Sequence, residues 1–196
     1  MTKIQIIIGT TRPNRFSEKP AHWIFNEAKK RTDIKVELVD LRDYPLPYYD
    51  EALSPAALQG KYEKTEVKKW AEKISEADGY IIVTGEYNHG YPAVLKNALD
   101  YIYYPWNKKA VGFVSYGSVN GARSVEQLRQ VVIELQMAPI RSSIYLPSQV
   151  YMAVKSQKPD DKLSPFESLS EVKDSFLDQL IWWTKALKQA REKEEK

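Results

Sequence analysis

The chain has 196 residues, no cysteine, and 29 Lys and Arg residues against 26 Asp and Glu residues, which gives a net charge of +3. The lack of cysteine excludes disulfide bonds, thiolate nucleophiles and sulfur-ligated metal sites. Basic and acidic residues are interleaved and form no basic stripe, so we expect no nucleic-acid partner.

Short runs of β-branched and aromatic residues alternate along the chain with apolar residues at helical spacing. The runs predict five strands, at residues 3–8, 35–40, 79–84, 110–116 and 141–146. Apolar stripes that begin at Ala21, Val67, Val94 and Val125 predict one helix between each pair of successive strands. A fifth helix is predicted to start at Ser164 and Pro165, with Glu167 completing a capping box. Its apolar stripe consists of Leu169, Val172, Phe176, Leu180, Trp183 and Leu187.

Strict alternation of five strands and five helices predicts the α/β class. We expect a flavodoxin-like, three-layer α/β/α sandwich around a five-stranded parallel sheet of order 2-1-3-4-5. Two irregular stretches, residues 42–64 and 147–163, are predicted to be surface excursions from a single domain over residues 1–196. No apolar run is long enough to span a membrane or to form a signal peptide, so a soluble, cytoplasmic protein without a membrane partner is expected.

Ligands of this fold bind at the carboxyl ends of the strands, at the switch point between the first and third strands. The first loop there, residues 9–17, leads into a helix that Ser17 can cap, so free N–H groups and the helix dipole suit an anion. Groups that suit a phosphate come from Thr10, Thr11, Arg12, Arg15 and Ser17. An exposed turn with two surface arginines is the alternative. The loop lacks Gly-x-Gly-x-x-Gly and P-loop spacing, which argues against Rossmann-type dinucleotides and Walker-type ATP binding.

The second loop at this edge, residues 85–91, offers an aromatic face and the amide of Asn88. Pro92 is predicted to open the next helix, which leaves the loop protruding. These groups suit a flat heterocycle, and an ordinary surface turn is the alternative. His89 is interpreted as a contact residue in preference to a general base or a metal ligand.

The third loop, residues 116–121, places Gly117 and Gly121 ahead of a helical stripe, where they permit close approach of the backbone to a ligand. Asn120 as a plain helix cap is the alternative. Because the three loops share one crevice, together they predict a site for a mononucleotide with a large flat ring.

With these motifs in place, the chain resembles the NADPH-dependent FMN reductase family of flavodoxin-like proteins. The similar segments are "GTTRPNR", "LPYYDE", "EYNHGYPAVLKNALDYI" and "GSVNGARSVEQLR", all within residues 4–146. The chain departs from the family pattern at three positions, with Thr10 where Ser is frequent, Gly85 where Pro usually precedes Glu-Tyr-Asn, and Gly90 where Ser is common.

The resemblance implies FMN as the cofactor and NADPH or NADH as the hydride donor. It assigns the FMN phosphate to Thr10, Arg12, Arg15 and Ser17, and the isoalloxazine ring to Glu86, Tyr87, Asn88, His89, Tyr116, Gly117 and Ser118. In this chemistry the cofactor carries the hydride, so no side chain is assigned as catalytic and no metal is expected.

The implied activity is that of an NAD(P)H-dependent FMN oxidoreductase that reduces free flavin, a quinone, an azo or nitro compound, or a metal oxyanion. Two alternatives stay open. One is a flavodoxin-type electron carrier without NAD(P)H activity, although such carriers are typically acidic. The other is a module that binds a different phosphate-bearing ligand.

The resemblance also implies a homodimer or homotetramer, with the aromatic stretches "YPLPYYD" and "YIYYPW" as candidate contacts.

Overall fold

The computed structural model describes residues 1–157 and 164–194. Five strands form one parallel sheet in the order β2-β1-β3-β4-β5, which confirms the predicted order. The strands are β1 (Thr2–Ile8), β2 (Ile34–Asp40), β3 (Gly79–Gly85), β4 (Ala110–Tyr116) and β5 (Ala138–Tyr145). Every residue of β3 and β4 is buried, because helices cover both faces of the sheet.

Within these residues the chain forms six α-helices. They are α1 (Glu18–Lys29), α2 (Thr65–Ser75), α3 (Ala93–Asp100), α4 (Ala122–Glu134), α5 (Ser148–Ser156) and α6 (Ser170–Glu194). Helices α1, α5 and α6 pack on one face of the sheet, and α2, α3 and α4 pack on the other, as in the expected flavodoxin-like sandwich. None of the helices in the described part of the chain combines the length and the hydrophobicity that a bilayer span requires.

Helix α5 is a correction to the sequence prediction, because it lies in the stretch 147–163 that was expected to be irregular. Its buried residues are only Val150 and Val154, one pair at helical spacing, which is too short a stripe to stand out in the sequence. Residues 158–163 of the same stretch lie outside the described residues.

The start of the last helix is a second correction. The hydroxyl of Ser164 accepts a hydrogen bond from the N–H of Phe166 and opens a 3₁₀ helix over Pro165–Leu169, so the α-helix begins only at Ser170. The predicted stripe is also partly wrong, because Val172 and Trp183 are 47% and 41% exposed. The residues of α6 that are buried instead are Phe176, Leu177, Leu180, Ile181 and Thr184.

Helix α6 can lie this close to the sheet because glycines face it. A Cβ atom on Gly112 would lie 2.6 Å from the ring of Phe176, and one on Gly79 would lie 2.5 Å from Oγ1 of Thr184. The central strands therefore present flat patches to α6, and the side chains of Phe176 and Thr184 fill the space above them.

Candidate functional site

The loops that follow β1, β3 and β4 meet at the carboxyl edge of the sheet. Strands β1 and β3 are neighbours, but α1 leaves β1 on one face and α3 leaves β3 on the other, so a crevice opens between the loops. Two backbone hydrogen bonds fix the edge: the N–H of Gly9 donates to the carbonyl of Val83 at 2.9 Å, and the N–H of Glu86 donates to the carbonyl of Tyr116 at 2.9 Å. The three predicted loops are therefore brought together.

The first loop presents unused backbone donors. Between Thr10 and Ser17, no backbone N–H donates to another group in the described part of the chain. Ser17 occupies the N-cap position of α1, but its side chain does not cap the helix, so that expectation is wrong. Its hydroxyl instead lies 2.5 Å from the hydroxyl of Thr10. These donors lie at the positive end of α1, which suits an anion.

The two arginines of this loop are placed differently. Arg12 is exposed, and its guanidinium carbon lies 5.6 Å from the centre of the Tyr87 ring, so it connects the first and second loops. The side chain of Arg15 is only 1% exposed and forms ion pairs with Asp40 and Glu18. Arg12 is therefore the arginine of the loop whose charge is available to a ligand.

The second loop is a tight two-residue turn. The N–H of Tyr87 donates to the carbonyl of Gly90 at 2.8 Å, and the N–H of Gly90 donates back to the carbonyl of Tyr87 at 3.1 Å. Asn88 and His89 occupy the tip with φ of 48° and 76°, as the favoured hairpin turns require. Both side chains are exposed at the crevice edge, and α3 begins one residue later than predicted because Pro92 is its N-cap.

Glu86, at the base of this turn, carries a buried carboxylate. Its side chain is 3% exposed, and Oε1 accepts a hydrogen bond from Nη1 of Arg123 at 2.9 Å. The second oxygen, Oε2, is buried and has no hydrogen-bond partner within the described residues. A buried carboxylate oxygen that lacks a donor is unusual, and a ligand N–H is one way to satisfy it.

The third loop needs glycine at two positions. Gly117 has φ of 152°, and a Cβ atom there would lie 2.7 Å from Cβ of Glu86. Gly121 has φ of 77° at the N-cap of α4, so Asn120 is not the cap. Ser118 is exposed beside these glycines, where its backbone and hydroxyl are accessible.

The buried side chain of Tyr116 forms one wall of the crevice. Its ring packs edge-on against Phe16 at 4.8 Å and is stacked with Tyr151 at 6.1 Å. Burial raises the pKa of the Tyr116 phenol to about 12, although the hydroxyls of Ser17 and Thr10 act in the opposite direction. A cavity of about 370 Å³ opens next to this ring, and its lining includes Arg12, Tyr87, Tyr116, Tyr151 and Lys155.

Several residues of the site were not found from the sequence. Asp40 is the last residue of β2 and Arg42 follows that strand, Arg123 lies on α4, and Tyr151 and Lys155 lie on α5. A signal existed for Asp40, because it ends a strand and the carboxyl ends of parallel strands share one edge. No comparable signal existed for the residues of α5.

Comparisons with known proteins show the family and the fold of the chain. The sequence model of a family described as NADPH-dependent FMN reductase matches residues 2–150. A Schizosaccharomyces pombe protein named NAD(P)H-dependent FMN reductase is 40% identical over 147 residues, which is 74% of each chain. A quinone reductase of Pseudomonas putida is 27% identical over 190 residues, which is 93% of this chain and 94% of that one. The solved structure of FerB, a flavoenzyme NAD(P)H:(acceptor) oxidoreductase from Paracoccus denitrificans, shares the fold with a TM-score of 0.71 and 18% identity, and the match covers 95% of this chain and 98% of that chain.

Proposed function

Because the chain belongs to the NADPH-dependent FMN reductase family, we propose that the crevice between its three loops holds the FMN of an NAD(P)H-dependent oxidoreductase. When bound there, FMN would supply the redox chemistry of two-electron transfer from reduced nicotinamide to an acceptor. The observation that carries the proposal is the run of unused N–H groups between Thr10 and Ser17. A phosphate monoester needs several donors at one point, and these donors lie at a helix N-terminus.

For the phosphate, we assign the N–H groups of the first loop, the hydroxyls of Thr10 and Ser17, and the guanidinium of Arg12. The two hydroxyls lie 2.5 Å apart and are hydrogen-bonded to each other, so an anion that accepts from both would replace that bond. Arg12 adds a charge that the dianion requires, and such charge-assisted hydrogen bonds are stronger than neutral ones.

For the flavin ring, we assign the second and third loops. The unpartnered Oε2 of Glu86 fits a ring N–H, and the lack of a side chain at Gly117 lets the third loop pack directly against Cβ of Glu86. Tyr87, Asn88 and His89 supply a half-buried aromatic ring and an exposed turn at one border, and Tyr116 and Ser118 supply the other. No side chain in this set needs to donate or remove a proton, since the cofactor carries the hydride.

Quinones are the acceptor class that we propose to test first. The support is that a relative similar over nearly the whole chain is named a quinone reductase. The reaction balances as NAD(P)H, a proton and a quinone giving NAD(P)⁺ and a hydroquinone.

We also propose that the protein is a homodimer or homotetramer. The support is the exposure of Tyr48 (85%) and Tyr104 (49%) in the two aromatic stretches. Light scattering tests the oligomeric state.

The decisive experiment uses the full chain reconstituted with FMN. Under anaerobic conditions, NADPH or NADH should bleach the flavin absorption band, and added benzoquinone should restore it. A protein that binds FMN but is not bleached by either nucleotide would be an electron carrier. A protein that does not bind FMN would contradict the site assignment as well as the activity.

A further inference from the structure

The carbonyl groups of three successive residues in the first loop are held by two arginine side chains. Arg15 donates through Nη1 to the carbonyl of Thr10. Arg42 donates through Nε to the carbonyl of Thr11 at 3.3 Å and through Nη2 to the carbonyl of Arg12. In a trans peptide the N–H points away from the preceding carbonyl, so fixing these carbonyls directs the N–H groups of Thr11 and Arg12 to the opposite side.

Two carboxylates hold the arginines in turn. Asp40 accepts from Nη1 of Arg15 at 2.8 Å, from Nη2 of the same residue, and from the backbone N–H of Arg42 at 2.9 Å. Oε1 of Glu18 accepts from Nε of Arg15 and from Nη1 of Arg42, both at 3.0 Å. Burial alone would raise the pKa of the Asp40 carboxyl, but the hydrogen bonds from Arg15 and Arg42 hold that pKa below its usual range.

The N–H groups of the Arg15 guanidinium are therefore already occupied by hydrogen bonds within the protein. Four of its five N–H groups donate to Thr10, Asp40 and Glu18, and its side chain is 1% exposed. To grip a phosphate it would have to leave a bidentate carboxylate that is 25% exposed, and that carboxylate would then lose its partner.

We propose that Arg15, Asp40 and Arg42 are positioning residues that hold the first loop in its phosphate-binding form, and that Arg15 does not contact the phosphate. This inference rests on the proposed function, because it concerns how the FMN phosphate is recognised. It separates two roles within the loop: Arg12 contributes charge to the ligand, and Arg15 orders the backbone that supplies the N–H donors.

The test compares FMN with riboflavin, which has the same ring and no phosphate, in fluorescence titrations of the protein freed of flavin. For Arg42→Ala and Asp40→Asn we expect the affinity for FMN to fall about ten-fold or more, as for loss of an ordered set of phosphate donors, with riboflavin affinity unchanged within about two-fold. Arg31→Ala is the matched control, since it removes an arginine that pairs with Asp33 and Asp178 away from the loop.

The salt dependence of FMN binding separates positioning from contact. Arg12→Ala should flatten it, because a charge that faces the phosphate is lost. Arg15→Gln should weaken FMN binding and lower the melting temperature of the flavin-free protein with the salt dependence retained, because the charge that it removes is paired with Asp40 and Glu18. An Arg15→Gln variant with an unchanged melting temperature and a flattened salt dependence would overturn the inference. So would an Arg42→Ala variant that binds FMN as the wild type does. If the wild type itself binds no FMN, the proposed function fails instead.

Discussion

Gly85 and Tyr116 are register partners on adjacent strands, and the ring of Tyr116 lies directly over the backbone of Gly85. A Cβ atom on Gly85 would lie 2.9 Å from Cζ of Tyr116 and 3.0 Å from its hydroxyl oxygen. The family resemblance places proline at position 85, where this chain has glycine. The position of the buried Tyr116 ring requires that glycine. The phenol of Tyr116 fills the volume that a side chain at position 85 would need.

Gly85→Ala should therefore destabilise the protein by about 1–3 kcal/mol, as overpacking of a filled core does. The loss should be smaller by about 1 kcal/mol or more when the same change is made in a Tyr116→Leu background, because the clash is then relieved. Urea unfolding of the two single variants and the double variant measures this coupling.

Gly90→Ala provides the control for that cycle, since its Cβ would meet only the amide end of Gln127, which can move. It should change stability by no more than about 0.5 kcal/mol. Additive effects of Gly85→Ala and Tyr116→Leu would show that the two positions are not coupled.

The expected phosphate contact of Arg12 leads to a second prediction. Arg12→Ala should weaken FMN binding by about 1–3 kcal/mol, the range for a charge-assisted hydrogen bond, without a change in the melting temperature of the flavin-free protein. Arg141→Ala, which removes an exposed arginine of β5 outside the three loops, is the control. Equal FMN affinity in Arg12→Ala and wild type, measured by fluorescence titration, would contradict the assignment.

Arg123 supports the second loop through Glu86, and its removal leaves a buried carboxylate with no cation. We expect Arg123→Ala to lower the free energy of unfolding by about 1–3 kcal/mol, the penalty for an unsatisfied buried charged group that is not fully sealed from water. The double variant Arg123→Ala, Glu86→Gln should recover part of that loss, since an amide needs no counter-charge. Chemical denaturation of the flavin-free protein checks both, and a double variant less stable than Arg123→Ala would contradict the argument.

The strands could be predicted because strands buried on both faces must be continuous apolar runs, as in β3 and β4. Their order followed from the alternation of five strands with five helices, which is typical of a flavodoxin-like sheet. The three loops followed from topology alone, since the carboxyl ends of parallel strands share one edge. The environment of single side chains could not be predicted from topology. The sequence suggests Arg15 as a phosphate ligand. Its ion pair with Asp40, 25 residues away, depends on the pairing of β1 with β2.

Helix α5 was missed for a related reason. Its two buried residues give almost no periodic signal, and its position is set by tertiary contacts, such as the packing of Tyr151 on Phe16 at 4.3 Å and the hydrogen bond from Nζ of Lys19 to the carbonyl of Val154 at 2.6 Å. Local propensity is weak here, and packing decides the structure.

Lys109 gives a pH-dependent prediction far from the site. Its Nζ lies 3.2 Å from the carbonyl of Ile74, 3.3 Å from the carbonyl of Ser75 and 3.0 Å from the hydroxyl of Tyr80, all of them neutral acceptors. Burial lowers the pKa of the Lys109 amine to about 7, Arg191 lowers it further, and Asp78 acts in the opposite direction. In the unfolded chain the same amine titrates at about 10.4.

Between these two pKa values the unfolded state binds one more proton than the folded state, so the contribution of Lys109 to stability rises with pH and is smallest below pH 7. The difference in free energy of unfolding between wild type and Lys109→Met should therefore increase from pH 7 to pH 10 with a slope of at most about 1.4 kcal/mol per pH unit. Urea unfolding at several pH values measures it, with Lys108→Met, an exposed neighbour paired with Glu194, as the control. A difference that is flat over this range would show that Lys109 keeps its proton in the folded protein, held by the carbonyl groups at the end of α2.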